Sequence, residues 1–155
     1  MRIRLYGGVR GRRRKPPPTR SLNFKLIQNM EIGTIVNGRR NRIGKLKKTI
    51  FDRKEDHYRF TFENGYTLAI RRPVFFQHTL VRLEEKCVYF EFSTEPILSG
   101  VFTYCLFETY GFPLEFVIDE MARKGIPVDE NGYHVMEELA RERNRNTFKS
   151  DNAFG

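Results

Sequence analysis

The sequence predicts an α+β protein: a small antiparallel β barrel or curved sheet followed by a three-helix unit, with a basic extended N-terminal arm. Three observations predict this. Short runs rich in β-branched and aromatic residues fill Ile32 to about Thr94. Glycines and capping residues punctuate apolar helical stripes after Pro96. The first twenty residues are dominated by Arg, Gly and Pro. The expected units are an arm over 1–30, a β domain over 31–95, a helical unit over 96–148 and a short tail over 149–155.

The arm carries Arg10, Arg12, Arg13, Arg14, Lys15 and Arg20, with Gly7, Gly8 and Gly11 ahead of Pro16-Pro17-Pro18. Glycine loosens the backbone, consecutive prolines hold it extended, and little apolar area is present to offset the entropy of ordering. Arg supplies bidentate phosphate bonds and stacks on bases, so an RNA contact is one reading. A nuclear-import signal or a membrane-surface patch has the same composition. Charge is strongly divided along the chain. Residues 1–54 hold 17 Lys or Arg against Glu31 and Asp52, a net +15, whereas the remainder carries −6. Such a positive segment neutralises phosphates and releases counterions, giving salt-sensitive affinity with little sequence choice.

In the β region the expected strands are Gly33 to Val36, Ile43 to Phe51, His57 to Phe62, Tyr66 to Arg71, Phe75 to Leu83 and Cys87 to Phe92. Asn37-Gly38 and Asn64-Gly65 supply tight turns, while Asp52 to Asp56 and Glu84 to Lys86 make polar connections. Alternation is clearest for Tyr58, Phe60, Phe62 and Tyr66, Leu68, Ile70, which implies one buried face. Arg39, Arg40, Arg42, Lys45, Lys47 and Lys48 follow the Asn37-Gly38 turn, where a loop would project them as a second phosphate contact. Aromatic residues on the same strands are expected in the core, since a base-stacking platform requires them exposed.

The helical unit reads as three helices. Ser99 is expected to cap the first, which Gly111 ends. Pro113 fits the start of the second, which Gly125 ends, and Asp129 caps a third running to about Arg145. Tyr133, Met136, Leu139 and Ala140 form its apolar stripe.

This last third contains Leu98-Ser99-Gly100, then Leu106-Phe107-Glu108-Thr109-Tyr110-Gly111-Phe112-Pro113-Leu114-Glu115, then Gly125, Val128-Asp129-Glu130, Gly132-Tyr133 and Met136-Glu137-Glu138. In order and spacing it resembles a stretch of the alanyl-tRNA synthetase family that lies after the class II catalytic core. The family pattern runs Leu-Ser-Gly, a helix ending in Asp-Thr-Tyr-Gly-Phe-Pro, a second helix ending in Gly, and Val-Asp before a helix rich in Glu and Arg. Here Glu115-Phe116-Val117 replaces the usual Asp-Leu-Thr, and Leu139-Ala140-Arg141 stands where relatives often carry Gln-Arg. The resemblance implies an RNA or synthetase context, because the family's corresponding region belongs to a helical part associated with recognition of the tRNA acceptor end.

It does not by itself imply catalysis. The 97 residues before Leu98 contain none of the class II synthetase motifs. Editing by relatives depends on zinc, which needs three or four converging ligands. His57, His78, His134, Cys87 and Cys105 are scattered without paired spacing. The expectation is therefore a non-catalytic protein without cofactor or metal. Its partner would be RNA, either tRNA or ribosomal RNA, with a synthetase or other translation protein as an alternative, or a ribosome-like particle in which it is a structural subunit. No apolar run has membrane-span length and no secretory signal is evident, so a cytoplasmic location with no membrane partner is expected. Cys87 and Cys105 are expected as free buried thiols, although sequence leaves a bridge between them open.

Overall fold

The computed structural model describes Leu22 and residues 24–154, with side chains as far as Arg145. Residues 1–21 lie outside it, and with them the predicted arm contacts Arg10, Arg12, Arg13, Arg14, Lys15 and Arg20. Six strands form one sheet: β1 (Glu31–Val36), β2 (Arg39–Asp52), β3 (His57–Phe62), β4 (Thr67–Arg71), β5 (Thr79–Glu84) and β6 (Cys87–Phe92). Their spatial order is β4-β3-β2-β1-β6-β5. A short helix α1 (Arg72–Gln77) separates β4 from β5, and α2 (Gly100–Tyr110), α3 (Leu114–Ala122) and α4 (Glu130–Phe154) follow the sheet.

The sheet is curved and open. No barrel forms, because β4 and β5 are its two edges and do not pair. Curvature comes from β2, whose first half pairs with β1 and whose second half pairs with β3, with register shifts at Ile32/Gly33 and at Leu46/Lys48. Each bulge inserts an unpaired residue and bends the strand. One pair departs from the antiparallel expectation: β1 runs parallel to β6. The intervening β2 to β5 supplies the long connection that a parallel pair needs.

The β1–β2 turn is formed by Asn37 and Gly38 at φ 52° and 79°, as the sequence predicts. The β5–β6 turn has Glu85 and Lys86 at φ 49° and 64°. Neither is a residue that favours positive φ, so its tightness is invisible to a search for Gly or Asn. The expected strand Phe75 to Leu83 is half helix. Pro73 fixes a helical φ in the first turn of α1, and Phe75 and Phe76 point into the core from that helix rather than alternating across a strand.

The core lies on the inner face of the sheet and is largely aromatic. Tyr58, Phe60 and Phe62 alternate inward from β3, as expected, and meet Phe24, Phe75 and Phe90. Ring centroids are 5.3 Å apart for Phe24–Phe60 and for Phe60–Phe90, in edge and tilted arrangements that ring quadrupoles favour. Phe24 and Ile27 fall within the stretch read as arm, yet both are buried here. They precede and close a 3-10 turn (Lys25–Ile27) that brings them under the sheet. Stacking of Phe76 on Phe102 at 4.7 Å continues the same core into α2.

Phe75 is fully enclosed and touches five other rings. Phe75→Ala is expected to cost about 3–5 kcal/mol of stability, measured by urea denaturation.

Candidate nucleic-acid interface

The six cations predicted on a loop stand on β2 itself. The turn before them is only two residues long, so pairing with β1 resumes at once, with Val36 opposite Arg39. A strand distributes neighbours to opposite faces, and the six are therefore not equivalent. Arg40 forms a bidentate pair with Glu84 at 2.7 and 2.9 Å. The bond from Arg40 lowers the Glu84 pKa and keeps it anionic. Arg42 lies beside Cys87 and donates to the Glu85 carbonyl at 3.5 Å. Both Arg side chains flank a small buried cluster of Ile35, Cys87 and Tyr89 on the strands next to them, so they are engaged within the protein. Arg39, Lys45, Lys47 and Lys48 are exposed and make no ion pair among the described residues. The bulge after Leu46 adds Lys47 between the inward Leu46 and the outward Lys48 and concentrates positive charge there.

The aromatic residues of β3 are buried, so they form no stacking platform for bases. Among the described residues no group of His, Cys, Asp and Glu could hold a metal ion, and both cysteines are free and buried. No described helix is long and apolar enough to cross a membrane.

The helical unit explains its own motif. Ser99 caps α2 by accepting from the amides of Val101 and Phe102 at 3.1 and 3.4 Å. Its neighbour Leu98 forms a bridge with Val128, through Leu98 N to Pro127 O and Asp129 N to Leu98 O, each 2.9 Å. This brings the N-termini of α2 and α4 together. A Cβ on Gly100 would sit 2.5 Å from the Tyr133 nitrogen, so only glycine permits that approach. Asp129 is 2 % exposed. One of its oxygens accepts from the Gly132 amide at 3.0 Å and caps α4, while the other accepts from the Val81 amide of β5 at 2.9 Å. Burial pushes this carboxyl up, against the pull of the amides of Val81, Gly132 and Gly100 and the charge of Arg82.

Tyr110-Gly111-Phe112-Pro113 forms the corner between α2 and α3. Gly111 takes φ 75°, and its amide returns to the Phe107 carbonyl at 2.8 Å, closing α2. Pro113 then begins α3, its carbonyl accepting from Phe116 and Val117. The corner leaves aromatic surface outside: Phe107, Tyr110 and Phe116 are 44, 41 and 46 % exposed. Tyr110 stacks on Phe112 at 5.8 Å, and Phe112 meets Phe116 at 5.5 Å. The expected stripe on α4 is also present, with Tyr133, Met136 and Leu139 buried and Ala140 half-buried.

These features define a chain with an open, cation-bearing sheet joined to a three-helix unit built around a capped, carboxylate-centred junction. Part of it is similar to alanine–tRNA ligases. The ligase of Ehrlichia ruminantium (strain Welgevonden) is 38 % identical over 74 residues, covering 45 % of this chain and 8 % of the ligase. That of Ehrlichia chaffeensis (strain ATCC CRL-10679 / Arkansas) is 35 % identical over 82 residues, 49 % of this chain and 9 % of the ligase. That of Thermoanaerobacter pseudethanolicus (strain ATCC 33223 / 39E) is 28 % identical over 107 residues, 69 % of this chain and 11 % of the ligase. The chain thus spans about a tenth of the length of these relatives. No family model and no solved structure matches it.

Truncating Asp129 to Ala would leave buried amides of two elements without acceptors, and a cost of at least about 3 kcal/mol in urea denaturation is expected. Tyr110→Ser, at an exposed ring, should change stability by less than about 1 kcal/mol in the same assay.

Proposed function

We propose that this is a non-catalytic RNA-binding protein of the translation apparatus, with tRNA as the leading RNA class. The observation that carries the reading is the pairing of a synthetase-like helical unit with exposed Arg39, Lys45, Lys47 and Lys48 on β2, which make no ion pair among the described residues. The Arg10 to Arg20 segment adds charge from the sequence side. Affinity then comes from phosphates, with little base discrimination, because Tyr58, Phe60 and Phe62 of β3 are buried. Arg40 and Arg42 serve the fold in this reading and contribute little to binding.

Filter binding of labelled tRNA over about 50 to 200 mM salt tests it. Binding should fall steeply, and the triple variant Lys45→Gln/Lys47→Gln/Lys48→Gln should flatten the log–log slope by up to about 0.9 per lost phosphate contact. Salt-independent binding, or none in dilute buffer, would count against RNA as the ligand. Alanine-dependent ATP exchange is expected to be absent, and measurable exchange would overturn the non-catalytic part.

A second reading makes the helical unit a protein-docking module that imitates the synthetase segment. The exposed rings of Phe107, Tyr110 and Phe116 at the Gly-Phe-Pro corner favour it, since clustered aromatic surface is typical of binding hot spots. Under this reading, pull-down of a synthetase or other translation protein should be lost with Tyr110→Ser/Phe116→Ser while tRNA binding is retained.

A further inference from the structure

The outer face of the β2–β3–β4 half of the sheet carries a pattern that neither the sequence nor the reading above uses. Directly opposed residues share a face, and the register places Lys48 beside Thr61 and Thr67, Ile50 beside Arg59 and Ala69, and Asp52 beside His57 and Arg71. The alternate residues Thr49, Phe60 and Ile70 belong to the inner face, where Phe60 and Ile70 are buried. Lys48, Arg59 and Arg71 therefore lie on a diagonal, one on each of three adjacent strands. Diagonal neighbours on a sheet are about 7–8 Å apart, so the row spans roughly two such steps.

This face is open to solvent. Lys48, Ile50, Thr67, Ala69 and Arg71 are exposed, and Ile50 is 44 % exposed in the middle row. Asp52 is the one carboxylate on the paired rows. It is occupied: Asp52 accepts from the amides of Lys54 and Glu55 at 3.0 and 3.2 Å and holds Arg59 at 3.0 Å. Arg59 in turn reaches the His57 ring at 3.2 Å. The carboxylate thus orients the central guanidinium while the two outer cations, Lys48 and Arg71, make no ion pair among the described residues. No Phe or Tyr stands on the three rows, and the one aromatic ring there, His57, is only 14 % exposed and held against Arg59.

We infer that the Lys48–Arg59–Arg71 diagonal is a track for the sugar–phosphate backbone of single-stranded RNA, crossing β2, β3 and β4 obliquely. This rests on the RNA reading above, shares Lys48 with the β2 patch named there, and adds Arg59 and Arg71 on β3 and β4. Spaced cations on a solvent-exposed face suit a flexible strand, which can place successive phosphates against them. With Ile50 as the only large apolar group, the track ignores base identity.

The test is fluorescence anisotropy of the full chain with short labelled oligouridylate and oligoadenylate against salt. Lys48→Gln/Arg71→Gln should flatten the log–log slope by about 1.4, at about 0.7 per cation lost from a single strand, equally for both oligomers, and Arg71→Gln alone, which leaves the β2 patch intact, by about 0.7. Lys86→Gln/Lys124→Gln removes the same charge elsewhere and should leave the slope unchanged. Circular dichroism should show both variants folded, since all four side chains are exposed. An unchanged slope in Arg71→Gln, or equal flattening in Lys86→Gln/Lys124→Gln, overturns the track. If the intact protein binds neither oligomer nor tRNA in dilute buffer, the RNA reading falls and the track with it. If it binds and only Arg12→Gln/Arg13→Gln/Arg14→Gln flattens the slope, the RNA reading stands and the track is refuted.

Discussion

One buried carboxylate holds the two parts of this structure in register. Asp129 accepts an amide from α4, an amide from the sheet edge β5 and the pull of the Gly100 amide at the start of α2. A buried carboxyl group is tolerated only where hydrogen bonds replace its water, and here backbone donors from separate elements supply that replacement. The arrangement requires Gly100, because any Cβ would collide with backbone of the α4 N-terminus. It also requires the Leu98–Val128 bridge, which brings the two helix starts to the same place. Sheet and helices consequently share one continuous core, from Phe24 to Leu139.

This junction gives the similarity to alanine–tRNA ligases a physical content. Leu98, Ser99, Gly100, Asp129 and Gly132 are the motif residues that interlock, and each has a steric or hydrogen-bonding task in the fold. They account for how the helical unit is assembled. Tyr110 and Phe112 differ. Their rings stack on one another at the surface, and stability alone does not demand that Tyr110 stay as exposed as it is.

Much of the architecture was legible where local chemistry decides it. Strands β3 and β6 have the predicted limits because alternation and flanking turns agree there. Ser99, Gly111 and Asp129 mark helix ends because orphan backbone groups need partners. Three features were not legible. Phe75-Phe76 looks like strand from composition, and only Pro73 hints at the helix. The Glu85-Lys86 turn uses positive φ without Gly or Asn. Sheet closure depends on whether distant edges meet, which no local pattern encodes. The β2 cations were found as a group, but their separation into engaged and free members depends on register and on Glu84, Glu85 and Cys87, far away in sequence. Arg59 and Arg71 escaped notice because their alignment with Lys48 exists only across three paired strands.

The meeting of two helix starts at Asp129 has an electrical consequence. Helix N-termini present partial positive charge and free amides, which is why they so often hold phosphate groups. In this protein the ends of α2 and α4 converge on a carboxylate that the chain itself provides. The amides of Val101, Phe102, Gly132 and Tyr133 at that pole are thus engaged by Ser99 and Asp129, side chain and backbone, from within the protein.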